Sequence, residues 1–409
     1  MRSGSRIPLL ALVCLGLGRL QAAGQGASAQ HYPEPGRIGV RQESAPSTGS
    51  ADSATQGMQT PLLGFVSVAE QGELRSLVGI PGASALGEPL AVPAGLRNVY
   101  FAPGQSYALL APSAGDFLGL MTFQGAQEAA AASICGAIPQ PDIVAFSPGA
   151  SAAALYSKAE GRLQVITGLP GSPQLARVVP ATDLPDDVRF LAITDDGVTL
   201  LEGTIHSSVY LLPQLGSPRL LHTAGDLQGM AFAPRTNDLI AFDRAANTAF
   251  ELQDVDGAGS YLLLADGLTG MDGNVFLETS RAGAVIASTK SGTLWEIDLK
   301  SQQVQNIHLP GMPQMLQPLR TSGDYLLFYR TGFPAWILDS NGVEGVVSFV
   351  PAGTAPSKHP KSFPFSTVHG SKGNQNEQPD LVIQPGFGAG CTEVPEPTPA
   401  PKPLPRPTY

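Results

Sequence analysis

The stretch IVAFSPGASAAALYSKAEGRLQVITGLPGSPQLARVVP, residues 143–180, contains four short apolar runs separated by turn-forming residues. The runs cover residues 144–146, 153–157, 163–167 and 175–179, and Ser-Pro-Gly, Glu-Gly and Pro-Gly stand between them. Proline fixes φ and glycine tolerates positive φ, so these pairs favour tight turns. The stretch therefore predicts four short strands joined by tight turns, which is the composition of one β-propeller blade.

This unit recurs along the chain with a nearly constant period. A first-strand marker that contains phenylalanine occurs at Phe101, Phe146, Phe190, Phe232 and Phe276, with spacings of 45, 44, 42 and 44 residues. Ala-Pro or Ser-Pro follows the phenylalanine in three of these five copies. A glycine also stands 19 residues before the phenylalanine in three copies. Two markers with the same period indicate structural repeats, and the period is typical of propeller blades.

Two further copies are degenerate. The segment from Leu62 to Pro93 aligns with the second half of the unit and lacks its first strand, and residues 315–351 form a weak full copy. The count predicts an all-β chain with a single propeller of seven four-stranded blades, one of them incomplete. A six-bladed ring, with the strands of Leu62 to Pro93 packed as an extension, is the alternative. We expect residues 380–384, in the C-terminal tail, to supply the missing closing strand, with residues 37–41 as the weaker candidate.

The repeat resembles the TolB/WD40-like family of bacterial propellers and the related YVTN type. The resemblance covers residues 62–351 and rests on FAPGQSYALLA, FSPGASAAALYS, FLAITDDGVTLLEG and FAPRTNDLIAF. Units of this family open with a Phe-Ser-Pro-Asp-Gly turn, but here Asp-Gly is intact only at Asp196–Gly197, and no Trp-Asp pair closes the third strand. The resemblance implies a fold. It implies no mechanism, because the family includes scaffolds, receptors and enzymes.

The two ends of the chain have other compositions. Residues 1–29 combine two arginines, a short apolar run and an Ala-Ser-Ala site, which predicts a signal peptide and export. Residues 30–60 predict a flexible leader, residues 61–352 the propeller and residues 353–409 a polar, Pro-rich tail. Proline occupies every second position from 395 to 407, which favours a stiff polyproline II rod. No later stretch is apolar for long enough to predict a membrane-spanning helix.

Export would leave Cys135 and Cys391 in an oxidising compartment, where a disulfide between them is one interpretation. The other is that Cys135 is buried in its apolar AAAASIC context and that Cys391 is free. The net charge of −10, with no cluster of Lys or Arg, provides no surface for neutralising phosphates. We therefore expect no nucleic-acid partner.

The sequence contains only weak candidates for catalytic and metal-binding residues. There is no Gly-x-Ser-x-Gly motif, and His206, His222 and His308 fall at dissimilar positions of the repeat, so no catalytic residue is assigned. Asp254 and Asp256, followed by glycine, begin like a calcium loop but lack its later ligands. An acidic hairpin turn is the simpler interpretation, with calcium as the alternative and no other cofactor.

The sequence thus favours an exported, non-catalytic binding or scaffold propeller that engages a protein or glycan partner in the periplasm, on the envelope or outside the cell. We expect it to be a monomer. The alternative is an enzyme of the hydrolase or lactonase kind with a divalent ion in its central channel. That enzyme would need acidic or histidine side chains from several blades to meet at one point.

Overall fold

The computed structural model describes residues 61–68, 73–93, 95–115, 117–280, 283–330, 332–341 and 345–352, and these residues form seven antiparallel sheets. Blade 1 contains β1 Leu62–Val68, β2 Glu73–Ile80 and β3 Ala83–Leu90. Blade 2 contains β4 Leu96–Phe101, β5 Tyr107–Pro112, β6 Leu118–Gln124 and β7 Gln127–Ile134. Blade 3 contains β8 Ile143–Phe146, β9 Ala152–Ser157, β10 Arg162–Thr167 and β11 Gln174–Pro180. Blade 4 contains β12 Val188–Ile193, β13 Leu200–Thr204, β14 Ser208–Leu212 and β15 Arg219–Thr223.

The remaining blades have the same order. Blade 5 contains β16 Leu227–Phe232, β17 Leu239–Asp243, β18 Thr248–Gln253 and β19 Ser260–Ala265. Blade 6 contains β20 Val275–Thr279, β21 Gly283–Ser288, β22 Thr293–Asp298 and β23 Val304–His308. Blade 7 contains β24 Gln317–Pro318, β25 Asp324–Phe328, β26 Ala335–Asp339 and β27 Val346–Val350. Short 3-10 turns at Pro103–Gln105 and Ala181–Asp183 are the other regular elements of the described residues.

Seven apolar clusters join the blades into a closed ring. Each cluster lies between two neighbouring blades, and the cluster that joins blade 7 to blade 1 brings Leu63 and Val66 of β1 against Leu326 and Ile337. Each blade is apolar on both faces and is therefore covered by a neighbour on each side. The predicted all-β propeller of seven blades is confirmed, and the six-bladed alternative is wrong.

Burial changes from the second strand to the fourth strand of a blade. Strands β5, β9 and β21 are buried at every position, whereas β11 is mostly exposed. A second strand lies between two blades and has side chains of both faces in the core, while the fourth strand forms the outer rim. The first strands of blades 2 to 7 face the central channel.

The phenylalanine marker identifies the blades correctly but is out of register in two of them. The turn that follows each first strand is closed by a backbone hydrogen bond from the residue after the strand, and this donor is Ala102, Ser147 and Ala233 in blades 2, 3 and 5. In blades 4 and 6 the donors are Thr194 and Ser280, so Phe190 and Phe276 lie three residues earlier than their counterparts. The strand position is set by pairing with the second strand, which the spacing of single residues does not report.

Blade 1 has three described strands, and side-chain and backbone groups of other blades bond the inner edge of β1. The Gln105 amide accepts from Phe65 N at 2.5 Å and donates to Pro318 O at 2.8 Å and to Phe65 O at 3.4 Å. Gln317 Nε2 donates to Phe65 O at 3.0 Å, and Arg320 N donates to Leu63 O at 3.0 Å. Blades 2 and 7 thus bond this edge. The predicted closing strand, residues 380–384, and its alternative, residues 37–41, lie outside the described residues.

Candidate binding site in the central channel

The first strands of blades 2 to 7 surround a cavity of about 700 Å³. Much of its wall is apolar, with Val99, Val144, Leu191, Met230 and Leu277 contributed by five successive blades. One end of the cavity is ringed by the turns that follow the first strands, where the prolines of the Ala-Pro and Ser-Pro motifs lie. The volume is in the range that proteins use to enclose small ligands or an inserted side chain.

Blades 6 and 7 contribute a polar sector to this wall. It contains Glu278, Thr279 and Ser280 at the end of β20, together with Arg320 and Asp324 around the β24–β25 turn. The Asn341 amide donates to Asp324 Oδ1 at 3.2 Å, and the Arg320 guanidinium donates to the carbonyl of Gly125 at 3.4 Å. The cavity therefore has one polar side and one extended apolar side.

Burial decides the protonation of the acidic groups in this sector. Glu278 lines the cavity and is half-buried, and burial raises its pKa to about 8. Burial, followed by the charge of Asp339, raises the pKa of Asp324 to about 6. Burial, followed by the charge of Glu278, raises the pKa of the Tyr325 hydroxyl above its usual range. At neutral pH the Glu278 carboxyl is mostly protonated, so it can donate a hydrogen bond as well as accept one.

The predicted histidines lie apart from this cavity and from each other. His206 contacts the carboxylate of Asp186 at a hairpin of blade 4, His222 is in the outer strand β15, and His308 ends the outer strand β23. None of them is among the residues that line the channel. The cavity wall therefore combines hydroxyl groups and carboxyl groups with no histidine beside them.

Asp254 and Asp256 lie in the turn between β18 and β19. This turn is closed by a backbone hydrogen bond from Gly257 N to Asp254 O at 3.0 Å, and Asp256 accepts from the Asn237 amide at 2.9 Å. Within the residues that the structure describes, no group of three or more His, Cys, Asp or Glu side chains is arranged to hold a metal ion. Calcium binding at this turn stays the untested alternative to a simple acidic hairpin turn.

Cys135 directly follows β7, the outer strand of blade 2, and is exposed. It is a disulfide-bonded cysteine. Its predicted partner, Cys391, lies outside the described residues, so that pairing stays a prediction. The signal peptide, the leader and the Pro-rich tail also lie outside the described residues. The part of the chain that is described contains no helix with the length and hydropathy of a membrane span.

Sequence reasoning did not single out Glu278, or a second buried glutamate, Glu202 in β13. Glu202 is completely buried, and neither of its carboxylate oxygens has a hydrogen-bond partner in the described residues. The signal was a single glutamate inside each of two apolar strand runs, Thr199–Gly203 and Val275–Thr279. The side chain of a strand residue lies on one of the two faces of its sheet. The sequence does not show what packs against that face.

Comparisons with known proteins find similarity of structure only. No family model and no curated protein matches the chain. A functionally unknown protein from Desulfotomaculum acetoxidans is similar with a TM-score of 0.47 and 11% identity, over 72% of this chain and 100% of the other. Hydrazine synthase from Kuenenia stuttgartiensis is similar with a TM-score of 0.43 and 14% identity, over 75% of this chain and 100% of the other.

Proposed function

We propose that this protein is an exported, non-catalytic binding propeller that engages a protein partner at the open mouth of its central channel. The observation that carries the proposal is the channel cavity, with an apolar wall from five blades and one polar sector from blades 6 and 7. An apolar side chain of a partner can enter such a cavity, while Glu278 and Asp324 provide orientation through hydrogen bonds. The apolar wall favours a protein over a glycan.

The signal peptide predicted at residues 1–29 supports export, and the repeat motifs support a place in the bacterial TolB/WD40-like superfamily. The enzyme alternative requires several acidic or histidine side chains from different blades to meet at one point. Binding in the cell envelope is the function that the largely apolar channel wall supports.

The test is to fill the channel and ask whether partner capture is lost. Ala145 lines the cavity from β8, so Ala145→Arg would place a long charged side chain across the apolar wall. The matched control is Val178→Arg, at an exposed position of the outer strand β11 of the same blade. Tagged mature protein is incubated with the envelope fraction of the native cell, cross-linked and purified.

We expect the wild type and Val178→Arg to capture the same protein, and Ala145→Arg to lose it by about tenfold or more, since a charge in an apolar contact costs several kcal/mol. Circular dichroism and the unfolding temperature confirm that both variants fold. Equal capture by the two folded variants would show that the partner does not use the channel.

A further inference from the structure

A second cavity, of about 190 Å³, lies on the outer rim between β15 of blade 4 and β19 of blade 5. Three aromatic rings form a cluster there. The ring of His222 lies 4.7 Å from that of Phe250 and 5.4 Å from that of Tyr261, measured between centroids, and Phe250 and Tyr261 are 5.4 Å apart. Tyr261 is 52% exposed and Leu220, on the other strand, is 51% exposed. The rim groove thus exposes an aromatic ring on one wall and an apolar side chain on the other, within a lining that also contains polar side chains.

Several polar groups around the rim groove already have partners within the protein. The Arg219 guanidinium donates to Val255 O at 2.6 Å, which ties the outer strand of blade 4 to the turn of blade 5. Ser260 Oγ donates to Gln253 Oε1 at 3.0 Å. Burial lowers the pKa of His222, and the charge of Asp243 only partly opposes this. At neutral pH the ring of His222 is therefore uncharged and offers an aromatic face.

An aromatic slot of this kind suits an extended, proline-rich segment. Proline rings pack against aromatic faces, and a polyproline II rod loses little conformational freedom when it docks. The chain has such a segment of its own, VPEPTPAPKPLPRP at residues 394–407. Its two cations, Lys402 and Arg406, outnumber its single anion, Glu396. The turn beside the rim groove carries the two carboxylates of residues 254 and 256, and Arg219 lines the groove itself, so these three side chains sum to a charge of −1, opposite in sign to that of the segment.

The length of chain between the ring and this segment permits contact with the rim groove. The last blade ends at Val350, and about 40 residues precede the Pro-rich segment. A random coil of about 40 residues spans roughly 35 Å on average, and a ring of this size has a radius of gyration of roughly 20 Å. A tether of this kind holds the segment at an effective concentration in the millimolar range, so a weak site is still filled.

We propose that residues 394–407 dock into the rim groove of their own chain, with prolines packed against Tyr261 and His222. The groove is on the outer rim and the channel opens along the axis of the ring, so this site is separate from the one proposed for the partner. The docked tail would leave the channel mouth open and would hold the C-terminal end of the chain against blades 4 and 5.

The test uses the full mature chain with the photocross-linker p-benzoylphenylalanine in place of Leu404. After irradiation and digestion, mass spectrometry locates the cross-links, and a mixture of isotopically light and heavy chains separates contacts within a chain from contacts between chains. We expect cross-links within one chain, concentrated on residues 219–222 and 252–261. Tyr261→Ala should lower the affinity of the tethered segment about fivefold, the factor that loss of an aromatic contact of this kind produces, and should therefore lower the cross-link yield by roughly half.

The matched control is Leu263→Ala, an apolar residue in the same strand that is 45% exposed and does not line the groove. It should leave the yield unchanged. Leu220→Ala, on the opposite wall, provides a second variant if Tyr261→Ala fails to fold by circular dichroism. Cross-links spread over the ring, cross-links only between chains, or an equal yield in a folded Tyr261→Ala protein would each overturn the proposal.

Discussion

Replacing Glu202 with glutamine should stabilise this protein at neutral pH, although the residue is buried in the contact between two blades. Glu202 lies in β13, opposite Leu191 of β12 and Tyr210 of β14, and is completely buried. Burial, and after it the charge of Asp186, raises its pKa from 4.5 to about 8. A carboxylate without hydrogen-bond partners is costly in such a place, so the folded protein keeps the proton.

The sign of the pH effect follows from the two pKa values. Below about 4.5 the carboxyl is protonated in both the folded and the unfolded chain, and the stability that depends on it is fully present. As the pH rises from there towards 8, only the unfolded chain releases the proton, and that stability is lost. Over the interval up to pH 7 the loss amounts to roughly 3 kcal/mol, at 1.36 kcal/mol per pKa unit.

Glu202→Gln has no proton to lose, so its stability should not follow this decline. Near pH 4.5 it should be equal to the wild type or slightly less stable, because the amide also lacks partners. By pH 7 it should be more stable than the wild type by roughly 3 kcal/mol. Urea unfolding, followed by circular dichroism and tryptophan fluorescence at several pH values, measures the difference where the two probes agree.

The control is Glu88→Gln, a substitution of an exposed glutamate in the outer strand β3. The free energy of unfolding of Glu88→Gln should change with pH in the same way as that of the wild type across the whole pH range. If the free energies of unfolding of Glu202→Gln and of the wild type stayed parallel as well, Glu202 would titrate normally. Burial would then leave the pKa of Glu202 unchanged.

Three further substitutions test the ring. Gln105→Ala removes the hydrogen bonds to both backbone groups of Phe65 and should lower the free energy of unfolding by about 2–4 kcal/mol, measured by chemical denaturation. Gln140→Ala, the control, loses one exposed hydrogen bond and should leave the free energy of unfolding nearly unchanged. Equal effects of the two substitutions would refute the role of Gln105 in ring closure. Burial alone would raise the pKa of Asp243, but four backbone N–H donors more than offset this effect and hold the pKa below 3.8. Asp243→Asn should therefore lower the free energy of unfolding by about 2 kcal/mol at pH 7 and by progressively less as the pH falls below 4. A loss of stability that is constant with pH would contradict this. Arg177→Met removes two hydrogen bonds to carbonyl groups of blade 4, at 2.9 and 2.6 Å, and should lower the free energy of unfolding by about 1–3 kcal/mol. An unchanged denaturation midpoint would show that these hydrogen bonds between blades 3 and 4 do not stabilise the protein.

The strands were predictable because their signals are local. In blade 3 the predicted runs 144–146, 153–157, 163–167 and 175–179 agree with β8 to β11 to within one residue at each end. Proline, glycine and serine determine where a turn can form, and apolar residues between turns determine where a buried strand can lie. In blade 7 the weak copy begins at residue 315, two residues before β24.

The candidate sites were less predictable because they depend on contacts between blades. Glu278 and Glu202 each stand in an apolar strand run, and their raised pKa values come from the protein that surrounds them. The rim groove unites His222 and Tyr261, which come from neighbouring blades and meet only when those blades pack. A sequence shows which side chains are present, but desolvation depends on every group within several ångströms.

The sequence by itself determined the repeat, the number of units and the order of strands within each, since turn chemistry and apolar periodicity act over a few residues. Only the tertiary structure decided which residue of each first strand occupies the turn, because that register depends on pairing with the second strand. It also decided how the inner edge of blade 1 is bonded, because Gln317 of blade 7 donates to Phe65 O from 252 residues away in sequence. Contacts of that range form only when the ring closes, because closure brings the first and last blades together.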